Sequence, residues 1–141
     1  MFDLKDKNIL VTGGAGFIGS ELTNQLLTAK AKVTVVDNLV NGKVENLDIH
    51  NKNLKFLNKD IRDYELMEEL VTNTDIVFHL ASMGIRHSLH SPIENHEVNA
   101  EGTLNLLRIS EPNKNLKFVH ISTSEVYGTA HYTPMDENHP L

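Results

Sequence analysis

Val11-Thr12-Gly13-Gly14-Ala15-Gly16-Phe17-Ile18-Gly19-Ser20 follows an apolar run, Asn8-Ile9-Leu10-Val11, and precedes a helical pattern with Ile18, Leu22, Leu26 and Ala29 on one face. Apolar run, glycine turn and amphipathic helix, in that order, are the context in which such glycines mean dinucleotide binding. Glycines 14, 16 and 19 give G-x-G-x-x-G, and 13, 16 and 19 give the overlapping G-x-x-G-x-x-G. Each missing Cβ has a use. The turn tightens, backbone N–H groups approach a pyrophosphate, and helix packs close to strand. The phosphates then lie at the positive end of the helix dipole.

The bulk composition agrees with such a domain. At 141 residues, with 40% hydrophobic and 23% charged residues, the chain reads as one soluble globular domain over residues 1–141. Its net charge of -6, with no Lys/Arg cluster, argues against nucleic acid as a partner. Cysteine is absent, which excludes disulfides and thiolate metal sites. The N-terminal stretch Met1 to Lys7 has no apolar leader core, and no run approaches the length of a membrane span. A cytoplasmic protein without membrane contact is expected.

Outward from the glycines the chain alternates. Lys7 to Thr12 reads as the first strand, and about Phe17 to Thr28 as the first helix. Lys32 to Asp37 is a β-branched run suited to a buried parallel strand. Residues 38–53 read as a polar loop, with a helical turn near Val44 to Leu47. Leu54 to Leu57 gives a third strand, and Asp63 caps a helix burying Leu66, Met67, Leu70 and Val71. Asp75 to Leu80 is the fourth strand. Ser91-Pro92-Ile93-Glu94 has the form of a capping box, opening a helix to about Glu111. Leu116 to Ser122 is the fifth strand, and residues 129–141 form an irregular tail. The pattern predicts an α/β, Rossmann-type, doubly wound parallel sheet ordered 3-2-1-4-5. Ligands of such sheets lie across the carboxyl ends of the strands, so 13–19, 37–42, 60–61, 80–86 and 122–125 are the candidate site segments.

Asp37 closes the second strand, where a carboxylate accepts from adenosine ribose hydroxyls and repels a 2′-phosphate, favouring NAD over NADP. Its plainer reading is a solvated acid at a strand end. Asp60 is placed to meet the adenine amino group, or is simply an acid in a turn. His79, between apolar neighbours, is read as a hydrogen-bonded core histidine in preference to a catalytic one. His87, His90 and His96 lie close in sequence but have no evident fourth ligand, so no metal site is expected. Glu65, Glu68 and Glu69 read as a solvated helix face. Ser122-Thr123-Ser124-Glu125 follows the fifth strand, where a hydroxyl and a carboxylate would face a nicotinamide and move protons. Ser and Thr also suit an ordinary strand-end turn.

Taken in order, these residues resemble the extended short-chain dehydrogenase/reductase family of NAD-dependent sugar-nucleotide epimerases and dehydratases. Thr12 to Gly19 is similar to its glycine motif. Asp37-Asn38-Leu39, with Asn41-Gly42 and Glu45-Asn46-Leu47, resembles its ribose-binding loop, and Asp60-Ile61-Arg62-Asp63 its adenine-contact turn. His79-Leu80-Ala81-Ser82 corresponds to a motif usually ending in a second alanine. Asn99 to Asn105 resembles the helix whose Asn supports the active site. The resemblance implies NAD contacts at Gly13, Gly16, Phe17, Ile18, Gly19, Asp37, Asn38, Asn41, Gly42, Asp60, Ile61, Leu80, Ala81, Ser82, Asn99 and Ser122. It gives Thr123 the catalytic hydroxyl, with Ser124 and Glu125 beside it.

Glu125 matches the position where dehydratases and UDP-glucuronate decarboxylases keep a glutamate base, whereas Gly84-Ile85-Arg86-His87-Ser88 with Pro92 resembles the 4-epimerases. The subclass stays open between them. The family's Tyr-x-x-x-Lys is absent: Tyr64, Tyr127 and Tyr132 are followed four residues on by Glu68, His131 and Asp136. Thr133 to Leu141 resembles the segment just upstream of that motif. The chain is therefore expected to be the N-terminal NAD-binding portion of a sugar-nucleotide 4-epimerase, dehydratase or decarboxylase, lacking the C-terminal substrate domain. A complete enzyme of this kind would take a nucleotide sugar through a 4-keto intermediate. The alternative is a non-catalytic NAD-binding, sensing or interaction module. Family subunits pair through two helices each; only the one near residues 92–111 is expected here, so a homodimer would be altered or weakened.

Overall fold

In the computed structural model, which describes residues 3–141, five parallel strands form one sheet in the order β3-β2-β1-β4-β5. The strands are β1 (Asn8–Thr12), β2 (Lys32–Asp37), β3 (Leu54–Asn58), β4 (Ile76–His79) and β5 (Lys117–His120). Met1 and Phe2, part of the stretch read for a leader, lie outside the described residues. Alternation along the strands builds two cores. Ile9 and Val11 of β1, with Val33 and Val35 of β2, face Leu26 and Leu27 of α1 (Phe17–Thr28). Leu10, Val36 and Val77 face the opposite layer, formed by Met67 and Val71 of α2 (Tyr64–Thr72) and by Leu106 of α5 (Thr103–Ser110). Both faces of the central strands are therefore dry, as their β-branched composition requires.

The helices depart from expectation in two places. In α1 the buried residues are Gly19, Thr23, Leu26 and Leu27, while Ile18 and Ala29 are exposed. A Cβ on Gly19 would collide with the Gly13 carbonyl oxygen. Close approach of that turn rotates the helix so that the glycine, and not Ile18, faces inward. The second departure is at Ser91, which caps nothing with its side chain. Glu94, its expected reciprocal partner, instead joins His87 at 2.8 Å and Arg62 at 3.6 Å. The Ser91 N–H that a capping box would use is itself taken by the His87 carbonyl at 2.9 Å. The helix opened by Pro92 does run on to Ser110, but as α4 (Pro92–His96), a π-helical stretch Glu97–Gly102, and α5. A short α3 (Ile85–Ser88) precedes it. Asp63 does cap α2, accepting the Leu66 N–H at 3.2 Å.

Beyond a 3-10 turn at Ser124–Tyr127, no helix or strand follows among the described residues. His139 is nonetheless buried, its Nε2 accepting the His131 N–H at 3.0 Å beside the Tyr127 and Tyr132 rings. No helix of the described residues is long and apolar enough to cross a membrane.

Candidate dinucleotide site

A cleft opens at the carboxyl ends of β1, β2, β3 and β4. It is lined by Gly13, Gly16, Asp37, Asn38, Asn41, Gly42, Asp60, Ile61, Leu80, Ala81 and Ser82. Met83, within the candidate segment 80–86, lines it too, with three residues that the sequence does not single out: Val36, Lys59 and Val98. Each of the three directly precedes a candidate residue, Asp37, Asp60 or Asn99.

The glycine turn is a cradle that side chains would fill. Gly13 has φ +70, and a Cβ there would lie 2.7 Å from the Ala81 nitrogen, so turn and β4 wall touch backbone to backbone. The turn leads into α1, whose N-cap Gly16 offers no side-chain acceptor and whose first turn holds no acid. First-turn N–H groups have no partner inside a helix, and here none is taken by a cap. An anionic group fits that end electrostatically and by hydrogen bonding. Phe17 and Ile18 do not line the cleft; they are 95% and 64% exposed and line a separate surface groove.

Asp37 is buried, and each carboxylate oxygen accepts one backbone N–H: Ala15 at 2.9 Å and Leu39 at 2.8 Å. A carboxylate has about four acceptor positions, so about two remain toward the cleft. The loop after β2 folds over it. A Cβ on Gly42 would meet Asp37 Oδ1 at 2.8 Å, and the Ala15 carbonyl accepts both the Lys43 N–H and the Asn46 amide. The glycine turn, the acid and the loop above it are thus one tied unit.

Asp60 is differently occupied. It accepts the Arg62 backbone N–H, Arg62 Nε and a second guanidinium N–H, and the Asn38 amide at 3.0 Å. Hydrogen bonding from Arg62, opposed by partial burial, holds the Asp60 carboxyl down to about 2. Arg62 also donates to Glu97 at 3.0 Å, tying this turn to the helix across the cleft.

Asn99 does not line the cleft. Its amide grips the backbone of Met83, accepting that N–H at 2.7 Å and donating to that carbonyl at 2.8 Å. His79 is 1% exposed, with Nδ1 2.7 Å from Thr12 Oγ1 and Nε2 2.8 Å from Thr103 Oγ1. Burial, and secondarily His120, push its pKa down to about 4. Ser122, Thr123, Ser124 and Glu125 are exposed and lie outside the cleft lining, with Thr123 Oγ1 accepting the Glu125 N–H. His87 Nε2 is paired with Glu94, and no group of three metal-ligating side chains occurs among the described residues.

Residues 10–141 match the family model described as GDP-mannose 4,6 dehydratase. A UDP-N-acetyl-alpha-D-glucosaminuronate decarboxylase from Bacillus cytotoxicus is 42% identical over 123 residues, covering 86% of this chain and 38% of that protein. The solved UDP-glucose 4-epimerase of Thermotoga maritima, with UDP-glucose, is 40% identical at a TM-score of 0.83, covering 94% of this chain and 43% of the other. The UDP-glucose 4-epimerase of Thermus thermophilus, in complex with NAD, is 36% identical at a TM-score of 0.81, again over 94% and 43%. The chain thus spans less than half the length of these relatives.

Proposed function

The chain belongs to the extended short-chain dehydrogenase/reductase family of NAD-dependent sugar-nucleotide epimerases and dehydratases, and from that premise we propose that its cleft binds NAD for oxidation of a nucleotide sugar at C4. The carrying observation is the buried Asp37, pinned by two backbone N–H groups under Gly42 with acceptor capacity left over. Ribose hydroxyls match that capacity, whereas a 2′-phosphate would bring like charge against a buried carboxylate. The uncapped first turn of α1 takes the pyrophosphate. Asp60 reaches an adenine amino group only in exchange for the Asn38 amide, its one uncharged side-chain donor. Asn99 serves by holding Met83 in the cleft wall.

When bound, NAD supplies the hydride acceptor for oxidation of the sugar hydroxyl. At the end of β5, the Thr123 hydroxyl would hold the substrate hydroxyl, with Ser124 and Ser122 beside it, and Glu125 would hold or move a proton. The nucleotide-sugar substrate, the choice among epimerase, dehydratase and decarboxylase, a second copy of the chain as partner, and a cytoplasmic location belong to the same proposal. A second reading, binding without turnover by these 141 residues alone, is favoured by the lack of any Tyr-x-x-x-Lys among them. Calorimetry tests the first reading. NAD is expected to bind and NADP to bind at least about tenfold more weakly, with Asp37→Ser narrowing the gap. Equal affinity for the two in the unaltered chain overturns it. Incubation with UDP-sugars tests the second, and 4-epimer or decarboxylated product above background overturns that one.

A further inference from the structure

His79 lies behind the cleft wall and touches no ligand space, yet both of its ring nitrogens are engaged. Its hydrogen-bond roles follow from counting hydroxyl protons. Thr103 Oγ1 stands 2.7 Å from the Asn99 carbonyl oxygen, which only accepts, so the single Thr103 hydroxyl proton is spent there. Facing His79 at 2.8 Å, Thr103 is then an acceptor, and Nε2 must carry the imidazole proton. Thr12 Oγ1 accepts the Ala81 N–H at 3.3 Å and aims its own proton at Nδ1, 2.7 Å away. One directed path results, from the Ala81 N–H through Thr12, His79 and Thr103 to the Asn99 carbonyl. The Asn99 side chain then closes on both backbone polar groups of Met83.

The path begins at one end of the wall segment 80–83 and finishes at the other. We infer that His79, locked by Thr103 in its neutral Nε2–H form, is a positioning residue that holds the Leu80–Met83 wall against the glycine turn. Its meaning for binding rests on the reading of the cleft as a dinucleotide site. The tolerance is small, because the Gly13 Cα and the Ala81 backbone are too close for a single Cβ between them. A phenylalanine or leucine would fill the same buried volume without the cost of burying two ring nitrogens. Histidine at this position makes sense as a two-ended connector, since it alone joins a donor on β1 to an acceptor on α5.

The test uses the full chain. Nitrogen-15 NMR of the imidazoles is expected to show the His79 ring neutral, with the proton on Nε2 and Nδ1 bare. A proton on Nδ1 overturns the inference, and this measurement needs no variant that must fold. Thr103→Val removes the acceptor, and Thr103→Ser keeps it. In the valine variant, amide exchange at Ala81 and Met83 is expected to accelerate about tenfold or more, as loss of one buried hydrogen bond implies. NAD affinity falls in parallel, and the serine variant restores both. Exchange at Ala81 and Met83 unchanged in Thr103→Val overturns the inference. Failure of the cofactor reading looks different: the unaltered chain then binds no NAD, while the Nε2–H signature and the Thr103→Val exchange effect are still seen.

Discussion

At the scale of single residues, the glycine turn is the part of this molecule with least freedom to vary. Gly13 combines φ +70 with a Cβ position 2.7 Å from the Ala81 backbone nitrogen, so Gly13→Ala meets backbone strain and backbone overlap together. We expect a loss of about 2 to 4 kcal/mol in urea unfolding, with loss of NAD binding; a variant as stable as the parent contradicts the close approach. His79 gives a pH dependence. Its fold-imposed value of about 4 lies below the ordinary 6.5, so between those values the unfolded chain binds a proton that the folded chain refuses. Stability is therefore complete above about 6.5 and declines as pH falls toward about 4, by on the order of 3 kcal/mol in all. The urea midpoint of the parent should fall through that window more steeply than that of His79→Gln. Parallel curves for the two would exclude burial of a neutral His79. The composition around His79 makes its burial legible in sequence. Its two threonine partners are not, since Thr12 and Thr103 are separated from it by 67 and 24 residues.

At the scale of elements, strands were easier to read than helix faces. A β-branched run such as Lys32–Asp37 needs no partner to be recognised, whereas the rotation of α1 is set by contact between Gly19 and the Gly13 carbonyl. The stripe Ile18, Leu22, Leu26, Ala29 is a valid helical face, but the turn chooses Gly19, Thr23, Leu26 and Leu27. The capping box at Ser91 does not close for a similar reason: the Ser91 N–H goes to the His87 carbonyl, and Glu94 to Arg62 and His87, all outside its own helix. The π-helical stretch Glu97–Gly102 had no signature in composition. It holds Asn99, which grips Met83, and leads into Thr103, which meets His79. Removing one residue there, for instance exposed Ala100, would close the wide turn to an ordinary α turn and bring Thr103 one residue nearer to Asn99, breaking the Thr103-to-Asn99 hydrogen bond. We expect circular dichroism to report unchanged helix content while calorimetry loses NAD binding. Retained affinity would mean that the stretch has no part in building the cleft.

For the molecule as a whole, the order β3-β2-β1-β4-β5 was readable because alternating strands and helices leave few ways to arrange a parallel sheet. The cleft stands at the carboxyl ends of β1, β2, β3 and β4, while the residues after β5, an edge strand like β3, contribute nothing to its lining. Sequence position after a strand does not fix side-chain direction: Ser122 to Glu125 follow β5 at the carboxyl end of the sheet and still lie outside the cleft lining. The outer layer carries a further consequence. Ile93 of α4 and Leu104 and Leu107 of α5 are exposed by 75%, 47% and 46%, and α3 with its capping residue adds Ile85 and Leu89 at 66% and 76%. Exposed apolar side chains clustered on one helical layer mark an interaction surface. We expect concentration-dependent self-association of the chain through this layer, seen in light scattering as a mass rising with concentration. Leu107→Glu should keep the chain monomeric with a loss of stability of no more than about 1 kcal/mol, the cost of an acid in the last turn of α5 at an exposed position. If the parent is monomeric throughout, or Leu107→Glu associates as the parent does, this layer is not the contact.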